Sequence, residues 1–256
     1  MSEVLTAVDA GVLTITINRE DKKNALTNDM YTALADALEA AVDNSDVRVV
    51  VVQGNERVFS AGNDLGDFQN TPAEAGLSRP VFRFLHTLAV FPKPLVAAVC
   101  GPAVGIGTTM LLHCDLVYAG TNAKLSLPFV NLGLCPEAAS SLLLPKVVGH
   151  ARAAELLMLG EPFSPQLAYE AGLVNAVLEP DEVLPKAQEA AAKLAAKPSK
   201  SLRATKELLR PEALRQEILE RIEHEGQTFS AMLHEPAARE AFAAFMEKRR
   251  PDFTGM

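Results

Sequence analysis

Glu137 differs from the other carboxylates of this chain in the company it keeps. It ends the run Leu127-Pro128-Phe129-Val130-Asn131-Leu132-Gly133-Leu134-Cys135-Pro136-Glu137, which is almost wholly apolar and offers no obvious ion-pair partner. An apolar wall of Phe129, Val130 and Leu134 is expected to raise its pKa above the reference of ~4.3, giving a stronger base at neutral pH. A plainer role is also open: an acidic residue after a proline suits a helix N-terminus, where it is worth about 0.3–1 kcal/mol. Two other segments suit close approach to a ligand. Phe59-Ser60-Ala61-Gly62-Asn63-Asp64-Leu65 leaves a buried strand through small residues, where backbone can lie against a bound molecule. Lys93 to Gly107 runs from a buried strand through a glycine loop into a helix, whose unpaired N–H groups and positive dipole end stabilise an anion.

Several other chemistries are set aside. Gly105-Ile106-Gly107 opens a helix after a strand, but Met110 stands where a dinucleotide fingerprint needs its third glycine. No Gly-Lys-Ser/Thr sequence exists to form a phosphate loop. Val58 replaces the first glycine of a nucleophile elbow around Ser60. The five histidines are scattered, and His113-Cys114-Asp115 are consecutive, so they cannot all face one metal. No metal site is expected.

The elements that must position these residues begin with a hairpin. Val4 to Val8 and Val12 to Ile17 read as strands joined by Asp9-Ala10-Gly11. Asn28 is placed to cap a helix with the apolar face Met30, Leu34, Leu38 and Ala41. Val47 to Val52 and Leu95 to Cys100 are continuous apolar runs, the pattern of strands covered on both faces. Short strands are predicted at Leu116–Ala119 and Leu125–Leu127, with helices at Ile106–His113 and Ala138–Val148. After Val174–Leu178 no strand signal remains, and Pro211 to Lys248 is helix-forming throughout. This predicts an α/β core to about residue 195 and a helical remainder whose apolar face packs on another subunit.

Composition bounds the setting. With 48% hydrophobic and 22% charged residues, the 256-residue chain has the makeup of a soluble globular protein. Three cysteines, an odd number, lie in apolar stretches and fit a reducing compartment. The start, MSEVLTAV, lacks a basic leader region, no apolar run reaches membrane-spanning length, and the C-terminus lacks a Ser-Lys-Leu address. A cytoplasmic protein without a membrane partner is expected. The net charge of -8 argues against nucleic acid.

Five segments then fall into a single order. Asn24-Ala25-Leu26, Ser60-Ala61-Gly62-Asn63-Asp64, Lys93 to Gly107, Cys114-Asp115 and Ala171-Gly172-Leu173-Val174 resemble, in sequence and spacing, the enoyl-CoA hydratase/isomerase (crotonase) superfamily over nearly the whole chain. The resemblance implies a crotonase-like spiral of ββα units over residues 1–195 and a helical oligomerisation region over 196–256, forming a homotrimer or hexamer. It implies an acyl-CoA thioester substrate whose carbonyl oxygen sits between the backbone N–H groups of Asn63 and Ile106. CoA is then part of the substrate, and no separate cofactor is implied. Contacts to the substrate are carried over to Lys23, Ala25, Leu26, Ala61, Gly62, Asn63, Asp64, Leu65, Gly105 and Phe129. Lys22 can meet the phosphates electrostatically, although a solvated loop charge describes it equally well.

The acid/base residues narrow the reaction. Hydratases of the family use two glutamates, and Thr109 and Phe129 stand at those places here. The pattern Phe129-x-Asn131-Leu132-Gly133, Pro136-Glu137 and Ser140-Ser141 is similar to peroxisomal-type Δ3,Δ2-enoyl-CoA isomerases, in which a single glutamate shuttles the proton. Ala138 departs from that subgroup, which has glycine after the glutamate. The expected activity is therefore Δ3,Δ2 isomerisation with Glu137 as the catalytic residue. The alternatives are weak hydration, a specialised acyl-CoA isomerisation, or a non-catalytic acyl-CoA-binding subunit.

Overall fold

The computed structural model describes residues 2–64, 66 and 79–256. β1 (Val4–Asp9) and β2 (Val12–Ile17) pair antiparallel about Ala10-Gly11, both at positive φ, the two-residue turn whose twist matches the strands it joins. β3 (Val49–Gln53), β4 (Leu95–Val99), β6 (Leu116–Gly120) and β8 (Ala176–Leu178) then add in parallel, in the order β1-β2-β3-β4-β6-β8. A second, two-stranded parallel sheet joins β5 (Pro102–Val104) to β7 (Lys124–Ser126).

Both faces of the central strands are buried, which accounts for their uninterrupted apolar runs. Side chains alternate along a strand. Val50, Val52, Leu95, Ala97 and Val99 enter the main core, while Val49, Val51, Val96, Ala98 and Cys100 face the other way. The main core is closed by α1 (Asn28–Asp43) and α2 (Pro80–Val90), which pack on each other. The short α3 (Ile106–Thr109), α4 (Ser140–Val148), α5 (His150–Leu159) and α6 (Pro165–Glu170) follow in the chain. The opposite face is sealed by α7 (Pro180–Ala195), through Val183, Ala187, Ala191 and Ala195. α8 (Ser199–Leu209), α9 (Glu212–Met232) and α10 (Pro236–Met246) complete the described chain, and α9 lies against α2 and α4.

Four helix boundaries differ from expectation. Thr27, not Asn28, caps α1, its Oγ1 accepting from Met30 N–H at 3.3 Å. The helix expected over Ile106–His113 stops at Thr109 and tightens into a 3-10 turn, Met110–His113. The helix expected from Ala138 begins at Ser140, because Ala138 and Ala139 take φ of 60° and 55°. The long C-terminal helical run divides into α9 and α10, with Pro236 opening the second at a position where its missing N–H costs nothing. Among the described residues, no helix is long and apolar enough to cross a membrane.

Candidate active site

Two loops run side by side at the edge of the small sheet. Ser60 pairs with Ala103 in a parallel bridge: Ser60 N–H donates to Pro102 O (2.9 Å) and Val104 N–H to Ser60 O (3.0 Å). Only glycine allows such an approach at two points. Gly62 has φ +92°, and a side chain there would put Cβ 2.9 Å from Val104 O. A Cβ on Gly107 would lie 2.8 Å from Ser60 O. The pairing brings Asn63 and Ile106 to the wall of one groove. Ile106 opens α3, so its N–H has no partner inside the helix. Neither amide meets an acceptor among the described residues. Two free donors on one wall suit a developing oxyanion.

The groove has a volume of about 710 Å3. Lys22, Lys23, Ala25, Ala61, Gly62, Asn63, Asp64, Gly105, Ile106 and Phe129 line it, together with Phe229 of α9 and Phe242, Phe245 and Met246 of α10. The structure thus gathers nearly all of the expected substrate contacts. Leu26 is the exception: it is buried and works through its backbone, whose N–H donates to Gly62 O while its carbonyl accepts from Asp64 N–H. Leu65 lies outside the described residues.

A smaller pocket of about 20 Å3 adjoins the groove, sharing Asn63 and Phe229 with it, and Glu137 lines it. That is room for about one water. Glu137 Oε1 accepts a hydrogen bond from Thr109 Oγ1 at 2.5 Å. Burial pushes the Glu137 pKa up to about 8, and the negative charge of Glu225 adds to the rise; the Thr109 hydroxyl acts against both. The apolar wall responsible is not quite the expected one. Val130 is exposed, and Phe129 and Leu134 face the larger groove. Around Glu137 the wall is built instead from Val81, Phe82 and Leu85 of α2 and Ile222 and Phe229 of α9, elements remote in sequence. Arg79, also buried, completes this lining. Glu137 also precedes α4 rather than starting it, so the helix-terminus role does not describe it.

Supporting residues escaped the reading of the sequence. The Tyr31 hydroxyl donates to Asn63 Oδ1 from α1, fixing the loop that carries one of the two amides. Burial, and the nearby Glu137 charge, hold the Tyr31 pKa well above its ordinary value, so the phenol keeps its proton. Asn24, wholly buried, donates to Val58 O and Phe59 O and accepts from Arg19 N–H. Arg19 in turn binds Asp64 at 2.7 Å and Ala25 O at 3.0 Å, tying the two sides of the groove together. Asn24 stood in one of the segments that carry the family resemblance, without a role of its own, and nothing in the sequence marked Tyr31 or Arg19. Their more distant partners, Val58, Phe59, Asn63 and Asp64, lie 32 to 45 residues away, where spacing says nothing.

The family model for enoyl-CoA hydratase/isomerase matches residues 7–256. The chain belongs to that family. It is 36% identical, over the full length of both chains, to 2,3-dehydroadipyl-CoA hydratase of Escherichia coli. It is 40% identical to rat enoyl-CoA delta isomerase 2 over 81% of this chain and 54% of that protein. A crystal structure of an enoyl-CoA hydratase/isomerase from Pseudoalteromonas atlantica superposes with a TM-score of 0.93 at 40% identity, covering 99% of this chain and all of the other. The crotonase fold is therefore that of this family member. Hydratases and isomerases both appear among its relatives, so the family leaves the reaction open between them.

Proposed function

We propose that this enzyme is a Δ3,Δ2-enoyl-CoA isomerase, moving a C3=C4 double bond to C2=C3 of an acyl-CoA. The observation that carries the proposal is the carboxylate inventory of the site. Among the described residues lining the pocket and groove, Glu137 and Asp64 are the carboxylates, and Asp64 is committed to Arg19. Where the family's hydratases place a further glutamate, Thr109 offers a hydroxyl that donates to Glu137 itself.

Hydration needs a water held and deprotonated while a second group protonates the α-carbon. Isomerisation needs neither the water nor the second acid. Glu137 takes a proton from C2, the electron pair delocalises into the thioester, and the same carboxyl returns a proton to C4. The dienolate oxygen lies between the Asn63 and Ile106 amides, each such donor typically worth about 10²–10³ in rate. The CoA moiety extends along the groove toward Lys22 and Lys23. The name of the Escherichia coli relative favours hydration as the second reading, and the missing second carboxylate disfavours it.

Glu137→Gln tests the assignment. The expected result is a loss of isomerisation of about 10²–10⁴-fold with acyl-CoA binding retained. Near-normal turnover in that variant contradicts it. Assembly as a homotrimer or hexamer is part of the same proposal, supported by the apolar surface left on the C-terminal helices.

A further inference from the structure

We infer that Glu225, on the long helix α9, is a positioning residue for Glu137: its carboxylate clamps two backbone amides, one inside the turn that carries Glu137 and one just after it, and so fixes where that side chain points. The inference rests on Glu137 being the base. Ser140 N–H donates to Glu137 O at 3.0 Å, closing a four-residue turn whose two central residues, Ala138 and Ala139, both lie in the left-handed region. Glycine and asparagine serve such a turn readily, whereas an alanine Cβ is crowded there. Left alone, Ala-Ala would open, and Glu137 with it.

Contacts on three sides keep it closed. Glu225 Oε2 accepts from Ala139 N–H at 2.6 Å and Oε1 from Ser141 N–H at 3.0 Å. His113 Nε2 lies 2.8 Å from Ala138 O, and since a carbonyl only accepts, that nitrogen carries the proton. Ser140 Oγ donates to Glu137 O at 2.6 Å. Arg221, one turn earlier on α9, donates to Ser141 Oγ at 3.0 Å and orients the far side of the clamp. Glu225 is 5% exposed and lines neither the pocket nor the groove, although its neighbours Ile222, Gly226 and Phe229 line the pocket. It therefore acts through the turn, without touching substrate. Two carboxylate oxygens suit two amides; a carboxamide would set its own NH2 against one of them.

The test compares wild type, Glu225→Gln, Ala139→Gly and the double variant, measuring kcat and KM on a 3-enoyl-CoA across pH. The charged and titratable groups facing Glu137 are Glu225, Tyr31 of α1, Arg79 before α2 and Cys135 on its own loop. Glu225→Gln removes one negative charge from this set, so the rise of rate with pH moves to lower pH. Its kcat falls roughly tenfold to hundredfold, as expected for a misplaced reacting group, with KM within about twofold. Adding Ala139→Gly recovers most of kcat, because glycine holds the turn unaided. Unchanged kcat in Glu225→Gln, a loss confined to KM, or no recovery overturns the inference. Where Glu225→Gln alone does not fold, Ala139→Gly and the double variant are compared, and their kcat values must agree within about threefold. A wild type inert toward 3-enoyl-CoA refutes the isomerase reading alone. Hydrogen exchange at the Ala139 and Ser141 amides then decides the clamp: faster exchange in Glu225→Gln supports it, and unchanged exchange overturns it.

Discussion

Glu137 must be ionised to take a proton, yet its surroundings favour the protonated form up to about pH 8. The proposed mechanism therefore predicts that kcat/KM for isomerisation rises with pH through about 8, because this ratio reports the free enzyme. A profile already flat from about pH 6 would contradict a raised Glu137 pKa. Thr109→Val removes a hydroxyl that favours the ionised carboxylate, so the rise moves to still higher pH. Stability carries the same signature. A group whose folded pKa lies above its unfolded value of 4.5 contributes stability in full below 4.5, and that contribution is lost as pH rises through about 8. Glu137→Gln does not titrate, so its melting temperature should gain on wild type between about pH 5 and pH 9, by about 2–4 °C for each kcal/mol recovered. At this scale Glu137 was legible in the sequence, since one carboxylate after a long apolar run is visible as a string. Tyr31, Arg19 and Glu225 were not. Each is an ordinary residue of its own segment, and it acquires its role only when folding brings it to a partner remote in the chain.

The two glycine contacts govern the elements around the oxyanion site. Gly62→Ala would force a side chain into a left-handed backbone and against Val104 O, separating the Asn63 loop from α3. Isomerase kcat should fall at least tenfold, since losing one oxyanion donor alone costs about 10²–10³, while circular dichroism still reports a folded chain. Retention of full kcat would show that the Asn63 amide is not a donor to the substrate. Helices and strands were otherwise readable from periodicity: the hairpin, the doubly covered β3 and β4, and the apolar face of α1 lie where the pattern put them. Two of the misjudged helix ends share a cause. Thr27 outcompetes Asn28 because Asn28 already belongs to the helix, and α4 starts late because a turn bound by Glu225 and His113 intervenes. Both outcomes depend on hydrogen bonds that hydrophobic spacing does not record.

Across the whole molecule, the C-terminal helices serve the site and also leave apolar surface uncovered. α9 supplies Phe229 to the pocket and the groove, and α10 adds Phe242 to the groove. Leu208, Leu209, Phe245 and Met246 remain exposed in the single chain. Burying such residues between subunits is favourable at about 25 cal/mol per Å2 of apolar surface. Light scattering on the purified protein should therefore give three or six times the 27.4 kDa chain mass; a monomer would contradict the assembly proposal. The central claim concerns the reaction, and it is tested most directly by supplying 3-enoyl-CoA and 2-enoyl-CoA to the same enzyme preparation and following both spectrophotometrically. Conversion of 3-enoyl-CoA to the conjugated 2-enoyl thioester, with no hydration of 2-enoyl-CoA, is the predicted result. Hydration of 2-enoyl-CoA without isomerisation of 3-enoyl-CoA would contradict it.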